Sequence, residues 1–397
     1  MGVALSGCSS VRDKGESKEL GIRADRVISR TLLGNVARVA ATVAAPLAGK
    51  STGKEMEARR KTNQIGTFEN EVTLVPIAPN LTWFEQAEEE NDRFGFITQT
   101  PCHGVDAPWK IVPEDMFFDG ASIPRFLWEV DSLGPFDFTL AAVIHDWVFE
   151  AHHRAVTIEA ARAKIDEALK DGVTLTTESG KTLSLSDLRQ IQPVFSDLHD
   201  RYARYQSITL DDAATIYAEC IYREMLKAEA QYAFLKTVEE RRKADRKRGE
   251  AGEVLKGDLE KGIGRLKKAV DIARDRRFVL GYHRWAVRSF IAKRTYDPKK
   301  KVGGVLEEAH ATTPTTVIAL LEAGRVAEKE GADISALISP ALLKRFKKAA
   351  EFTSKSVAKM TTRSGREFGV PSREAIQRDS VATSIAIEAA IEIIRAY

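Results

Sequence analysis

The chain has 397 residues, 43% of them apolar and 29% charged, which supports real cores and argues against wholesale disorder, a collagen-like repeat or a disulfide scaffold built on three cysteines. Lys and Arg number 60 against 57 Asp and Glu, but the balance is uneven. Residues 236–301 hold 22 Lys/Arg and 10 Asp/Glu, so that stretch is +12 and the remainder is −9.

At the start, Leu5-Ser6-Gly7-Cys8 followed by Ser9 resembles the lipobox of bacterial lipoproteins, in which the Cys8 thiol would be lipidated. No basic n-region or apolar run precedes it, so either the start is placed too late or the match is accidental. A lipidated Cys8 puts the protein in the cell envelope facing the periplasm; otherwise the expected place is the cytoplasm or a phage particle. Leu32 to Ala48 is apolar but carries Arg38, which costs roughly 2.5–3.5 kcal/mol at a membrane centre, so an amphipathic helix or tether is favoured. No transmembrane helix is expected in the folded domains. Residues 49–66, poor in apolar side chains, read as a linker.

From Thr67 the pattern becomes strand-like: Glu71 to Pro76, Phe94 to Thr98 and Trp109 to Pro113. Ser122 caps a short helix with Pro124 in its first turn. Helices follow: Leu140 to Glu150, then a segment capped by Thr157 with Ile158, Ala161, Ile165 and Leu169 in register. Thr174 to Thr182 suits a turn or small hairpin. Ser184 with Asp187 forms a capping-box start for a stretch that Pro193 interrupts, and Thr209 opens a longer helix with Ala213, Ile216, Tyr217, Cys220 and Ile221 on one face. Thr313-Pro314, Ser339-Pro340 and Pro371-Ser372 mark helix starts near the end, the middle one carrying a stripe of Leu343, Phe346, Ala350, Thr353, Val357 and Met360. The reading is an α+β, mostly helical protein with three regions. Residues 1–66 form a leader, anchor and linker; 67–301 a small β-rich front and helical body with an insertion and a basic helix; 302–397 a helical module.

One stretch concentrates polar groups in apolar surroundings: Phe118-Asp119-Gly120-Ala121-Ser122-Ile123-Pro124-Arg125, Trp128, and Ala141-Ala142-Val143-Ile144-His145-Asp146-Trp147-Val148-Phe149. It resembles a family found in phage and bacterial genomes and catalogued as domain of unknown function 1353. The resemblance extends to Trp109–Pro113 and, more weakly, to Tyr282-His283-Arg284-Trp285-Ala286-Val287-Arg288. Phe149 replaces the usual Tyr, and neither Ala161–Ile165 nor Ala213–Tyr217 keeps the Asp of a further helix motif. The family implies a fold and no reaction.

Read from the residues, Asp119, His145 and Asp146 are the candidate catalytic groups, because a histidine held by carboxylates can run acid–base chemistry or hold a divalent metal. Ser122 and Arg125 are candidate binding residues. Ser122 makes a poor nucleophile, since it lacks a strained elbow and serves as a cap. The bland alternative is a structural cluster in which Arg125 pairs with Asp146 and Asp119 closes the Asp-Gly turn. His152 and His153 read as surface residues beyond a helix end. Cys102 and Cys220 are either a disulfide or, as favoured, two separate buried thiols. The basic stretch reads as a solvated helix, with a protein partner or an anionic membrane surface as its expected contact and nucleic acid disfavoured. Two functions follow: a phage- or envelope-associated interaction or structural protein, or a metal-assisted hydrolase built on Asp119, His145 and Asp146.

Overall fold

The computed structural model describes residues 52–78, 81–118, 138–247, 359–361 and 367–394, with isolated positions between 263 and 288. Residues 52–61 form helix α1. The strands β1 (Thr67–Glu69), β2 (Thr73–Ala78), β3 (Leu81–Glu85), β4 (Gly95–Thr98), β5 (Trp109–Ile111) and β6 (Met116–Phe118) follow. The body is α2 (Thr139–Asp171), the hairpin β7 (Leu175–Thr176) with β8 (Thr182–Leu183), α3 (Leu185–Gln206) and α4 (Leu210–Lys247). Last come the hairpin β9 (Lys359–Thr361) with β10 (Glu367–Gly369), then α5 (Arg373–Arg378) and α6 (Ser380–Ile394). The architecture is α+β and mostly helical, with a small β front.

That front consists of two three-stranded antiparallel sheets, β1-β4-β5 and β2-β3-β6. Aromatic side chains link them: Phe68 of β1 lies 4.8 Å from Phe96 of β4 and 6.0 Å from Phe94, which in turn meets Phe84 of β3 edge-on at 5.8 Å. Gln86, buried after β3, accepts from Phe94 N–H and donates to the carbonyls of Phe94 and Pro113, so the turns between the sheets are satisfied by one side chain.

Helix α2 is the axis of the body, packed against α3, α4 and α6. Its 33 residues span about 50 Å at 1.5 Å per residue, and it ends at Gly172 in the left-handed conformation (φ 69°) with the cap N–H on Ala168 O. Thr157 is therefore not a cap but a buried residue within one helix, because the apolar face runs unbroken from Ala141 to Ala168. His152 and His153 are likewise inside this helix and buried, which corrects their reading as surface residues. The Ser184–Asp187 capping box forms, with Asp187 N–H on Ser184 Oγ and Ser184 N–H on Asp187 Oδ2. Pro193 does not interrupt α3: its side is exposed, and the buried row of Leu188, Ile191, Val194, Phe195 and Leu198 outweighs the lost backbone bond. Thr209 and Asp212 cap α4 in the same reciprocal way.

Two regions differ from expectation. Residues 49–66 include helix α1, not linker throughout, because Met56 and Thr52 are buried and Tyr222 Oη donates to Glu57 at 2.5 Å. Its single large apolar residue leaves no periodicity to read. In the region read as a C-terminal helical module, Met360 lies buried in a strand, paired opposite Phe368, and so leaves the expected helical stripe. Helix α6 packs on α2 and its Ala382, Ile385, Ala386, Ala389 and Ile393 join the same hydrophobic core. Ser372 caps α5 as expected, accepting from Ala375 N–H.

Candidate functional site

His145 and Asp146 stand in the first third of α2, where burial of Ala141, Ala142, Ile144, Trp147 and Val148 sets the helix orientation. The His145 side chain is 0% exposed and that of Asp146 11%. Asp146 Oδ1 lies 2.7 Å from His145 Nδ1. The imidazole is held by two aromatic rings, Phe149 one turn on at 4.3 Å and Tyr217 of α4 at 4.8 Å. In the tautomer that places the ring proton on Nδ1, toward the carboxylate, the lone pair is on Nε2. That Nε2 and Asp146 Oδ2 are buried and have no hydrogen-bond partner among the described residues. Buried polar atoms are seldom left so, and these two, on adjacent residues, mark a place where the protein offers unused capacity.

Asp119, Ser122 and Arg125, together with Trp128 and the lipobox Cys8, lie outside the described residues. Among the described residues, no group of three His, Cys, Asp or Glu side chains has the arrangement to hold a metal ion. His145 and Asp146 are adjacent and paired.

Around them stand three further groups. Tyr217 Oη and His283 Nδ1 are 3.1 Å apart, both residues fully buried, and the His283 ring meets Phe138 edge-on at 5.2 Å just before α2. Glu224 of α4 accepts the Ala141 N–H at 2.7 Å, one turn before His145. The α2 N-terminus has no side-chain cap of its own on Phe138 and no acid in its first turn, so Glu224 supplies the cap from another helix. Burial raises its carboxyl to about 7, against the opposing pull of the Ala141 and Leu140 backbone and Lys227.

This gives a pH prediction. A carboxyl whose folded value lies above its ordinary 4.5 stabilises the fold fully below that value, and the contribution is lost as pH rises through about 7. The loss amounts to about 2–3 kcal/mol over that window. Urea midpoints of the wild type are expected to fall between pH 5 and pH 8, and Glu224→Gln to flatten that fall. An equally steep fall in the variant would show that another group titrates there.

Two clusters elsewhere were not legible as such. Glu219 of α4, 0% exposed, receives five donors: Arg59 Nη2 at 3.1 Å, Gly66 N–H at 2.7 Å, Gln99 N–H at 3.1 Å, and the hydroxyls of Thr98 and Thr100 at 2.6 and 2.7 Å. A Cβ on Gly66 would stand 2.5 Å from Ile97 O, so only glycine lets this backbone approach. Arg154 of α2 donates to Glu150, Glu114, Tyr202 and Ser384, and its guanidinium lies 5.3 Å over Trp147. Burial opposes its charge, but Tyr202, Glu150 and Glu114 hold it protonated, above its usual range. The sequence signal for Glu219 was an acid with no charged neighbour from Ile216 to Tyr222. Saturated in this way, both clusters are structural locks, with no capacity left for a ligand.

Cys102 and Cys220 are separate, free and buried. Burial pushes the Cys102 thiol up to about 12 and the Cys220 thiol upward too, so neither is a nucleophile. No described helix is long and apolar enough to cross a membrane.

No curated protein and no solved structure matches the chain. Residues 98–178, which carry the last residue of β4, then β5, β6, His145, Asp146 and all of α2, match the model of the family described as "Protein of unknown function (DUF1353)", the family that the Asp119–Arg125 and Ala141–Phe149 motifs resemble.

Proposed function

We propose that His145 and Asp146 are the helix-borne half of a metal-assisted hydrolytic site. The observation that supports this is the buried His145 Nε2, without a hydrogen-bond partner among the described residues, on a ring whose Nδ1 is held at 2.7 Å by Asp146. A histidine that binds a metal donates its other ring N–H to a carboxylate, which fixes the tautomer and raises ligand basicity. Asp119 is the further carboxylate that the sequence offers. The bound metal would lower the pKa of a water and make it a nucleophile at neutral pH. Metal content of the purified full chain, measured for wild type, His145→Ala and Asp119→Ala beside their unfolding curves, tests the reading. Folded variants with at least tenfold less bound metal support it. A metal-free wild type whose two variants unfold would overturn it and leave the cluster structural.

A second reading, an interaction or structural protein, draws on α4. Its last third carries Phe234 at 67% exposure and a wet row in which Lys236 and Lys243 both pair with Glu239. A protein partner or, with Cys8 lipidated, an anionic membrane surface would suit that helix and the basic stretch it enters.

A further inference from the structure

We infer that His283 is a positioning residue of the His145 site and acts through Tyr217. The inference rests on reading His145 as the working group. Tyr217 stands between two imidazoles: its ring touches His145 at 4.8 Å, and its hydroxyl lies 3.1 Å from His283 Nδ1. All three residues are 0–1% exposed. A buried phenol needs a hydrogen-bond partner, and a partner at Oη fixes where that end of the ring stands. His283 therefore anchors the hydroxyl end of Tyr217, whose ring is one of the walls against which His145 rests, 48° from its plane. Asp146 fixes one edge of the imidazole, while Phe149 and Tyr217 fix its tilt. The direction of Nε2 follows from those contacts together.

His283 lies 66 residues beyond Tyr217 and 138 beyond His145, within the basic stretch. The site is thus assembled from three parts of the chain: α2, α4 and the segment around 283. The ring of His283 also meets Phe138, the residue before α2, so the same side chain touches the entry of the helix that carries the site.

The test is the ring nitrogen signals of His145 in the full chain, followed by 15N NMR at one pH. Tyr217→Phe keeps the ring and removes the hydroxyl; His283→Leu removes the partner nitrogen; His283→Asn retains an amide, able to donate or accept, close to the Nδ1 position. The expected result is the same displacement of the His145 signals in Tyr217→Phe, His283→Leu and the double variant, with His283→Asn near wild type. Unchanged His145 signals in Tyr217→Phe and His283→Leu would overturn the inference. Should His283→Leu fail to fold, Tyr217→Phe beside His283→Asn decides alone: coincident wild-type spectra refute the link. Loss of metal in His145→Ala does not enter this measurement, so failure of the hydrolytic reading and failure of the positioning role are seen separately.

Discussion

Replacing Glu219 by alanine is expected to cost about 3–5 kcal/mol of folding stability, because it leaves a guanidinium, two backbone N–H groups and two hydroxyls facing a space without an acceptor. Glu219→Gln should cost less, about 1–3 kcal/mol, and the geometry says why. Oε1 receives Arg59 and the N–H groups of Gly66 and Gln99, none of which can reverse its role. Oε2 receives only the hydroxyls of Thr98 and Thr100, which can rotate and accept. The amide therefore fits with its NH2 toward the threonines, and what is lost is the charge and the acceptor of the two hydroxyl protons. Urea unfolding of the two variants checks the order. An alanine variant within 0.5 kcal/mol of wild type would show that water replaces the carboxylate and that α4 is not tied to the β front here.

Arg154→Met should cost a similar 3–5 kcal/mol while keeping the volume of the side chain, since removing one member of a buried ionic cluster leaves the others desolvated. Glu150 loses the partner one turn on, 2.6 Å from its Oε1, and Glu114 loses a contact at 2.9 Å. Glu114 retains Tyr202 at 2.7 Å and Arg201 at 3.5 Å, so the larger part of the loss falls on Glu150. Arg154→Met with Glu150→Gln is accordingly expected to recover part of the stability, the non-additivity that a shared network produces. If the double variant is no better than the sum of its parts, the two side chains are not coupled. Arg154 also reaches Ser384 at 3.3 Å, and Arg201 donates to Thr383 and to the carbonyl of Ile376. Limited proteolysis of the C-terminal helix should therefore quicken in Arg154→Met.

These two residues show where sequence reading stops. The capping boxes at Ser184 and Thr209, the turn between Thr174 and Thr182, and the Ser372 cap were all legible, because the atoms that satisfy one another lie within three or four residues. The β front was legible for Glu71–Pro76, Phe94–Thr98 and Trp109–Pro113, where apolar alternation is local. Strands β1, β3 and β6 are held by pairing with partners elsewhere and carry little pattern of their own. Thr157 looked like a cap and Pro193 like a break, since either residue in isolation disfavours helix; tertiary burial of the same helix face on both sides of each carried the helix through.

For the site, the sequence by itself determined the pair. His145 and Asp146 are neighbours in the chain, and their place in an apolar run made them the candidates. What surrounds the pair came from the tertiary structure. Tyr217 reaches the imidazole from 72 residues away, His283 reaches Tyr217 from 66 further on, and Glu224 caps the helix start 83 residues from Ala141. Glu219 likewise collects donors from as far as Arg59, 160 residues off. A buried charge must be compensated by whatever the fold brings to it, and no spacing rule constrains where in the chain that partner lies. Local hydrogen bonds and hydrophobic period are written in consecutive residues. The compensation of buried polar groups is decided only when the chain has closed on itself.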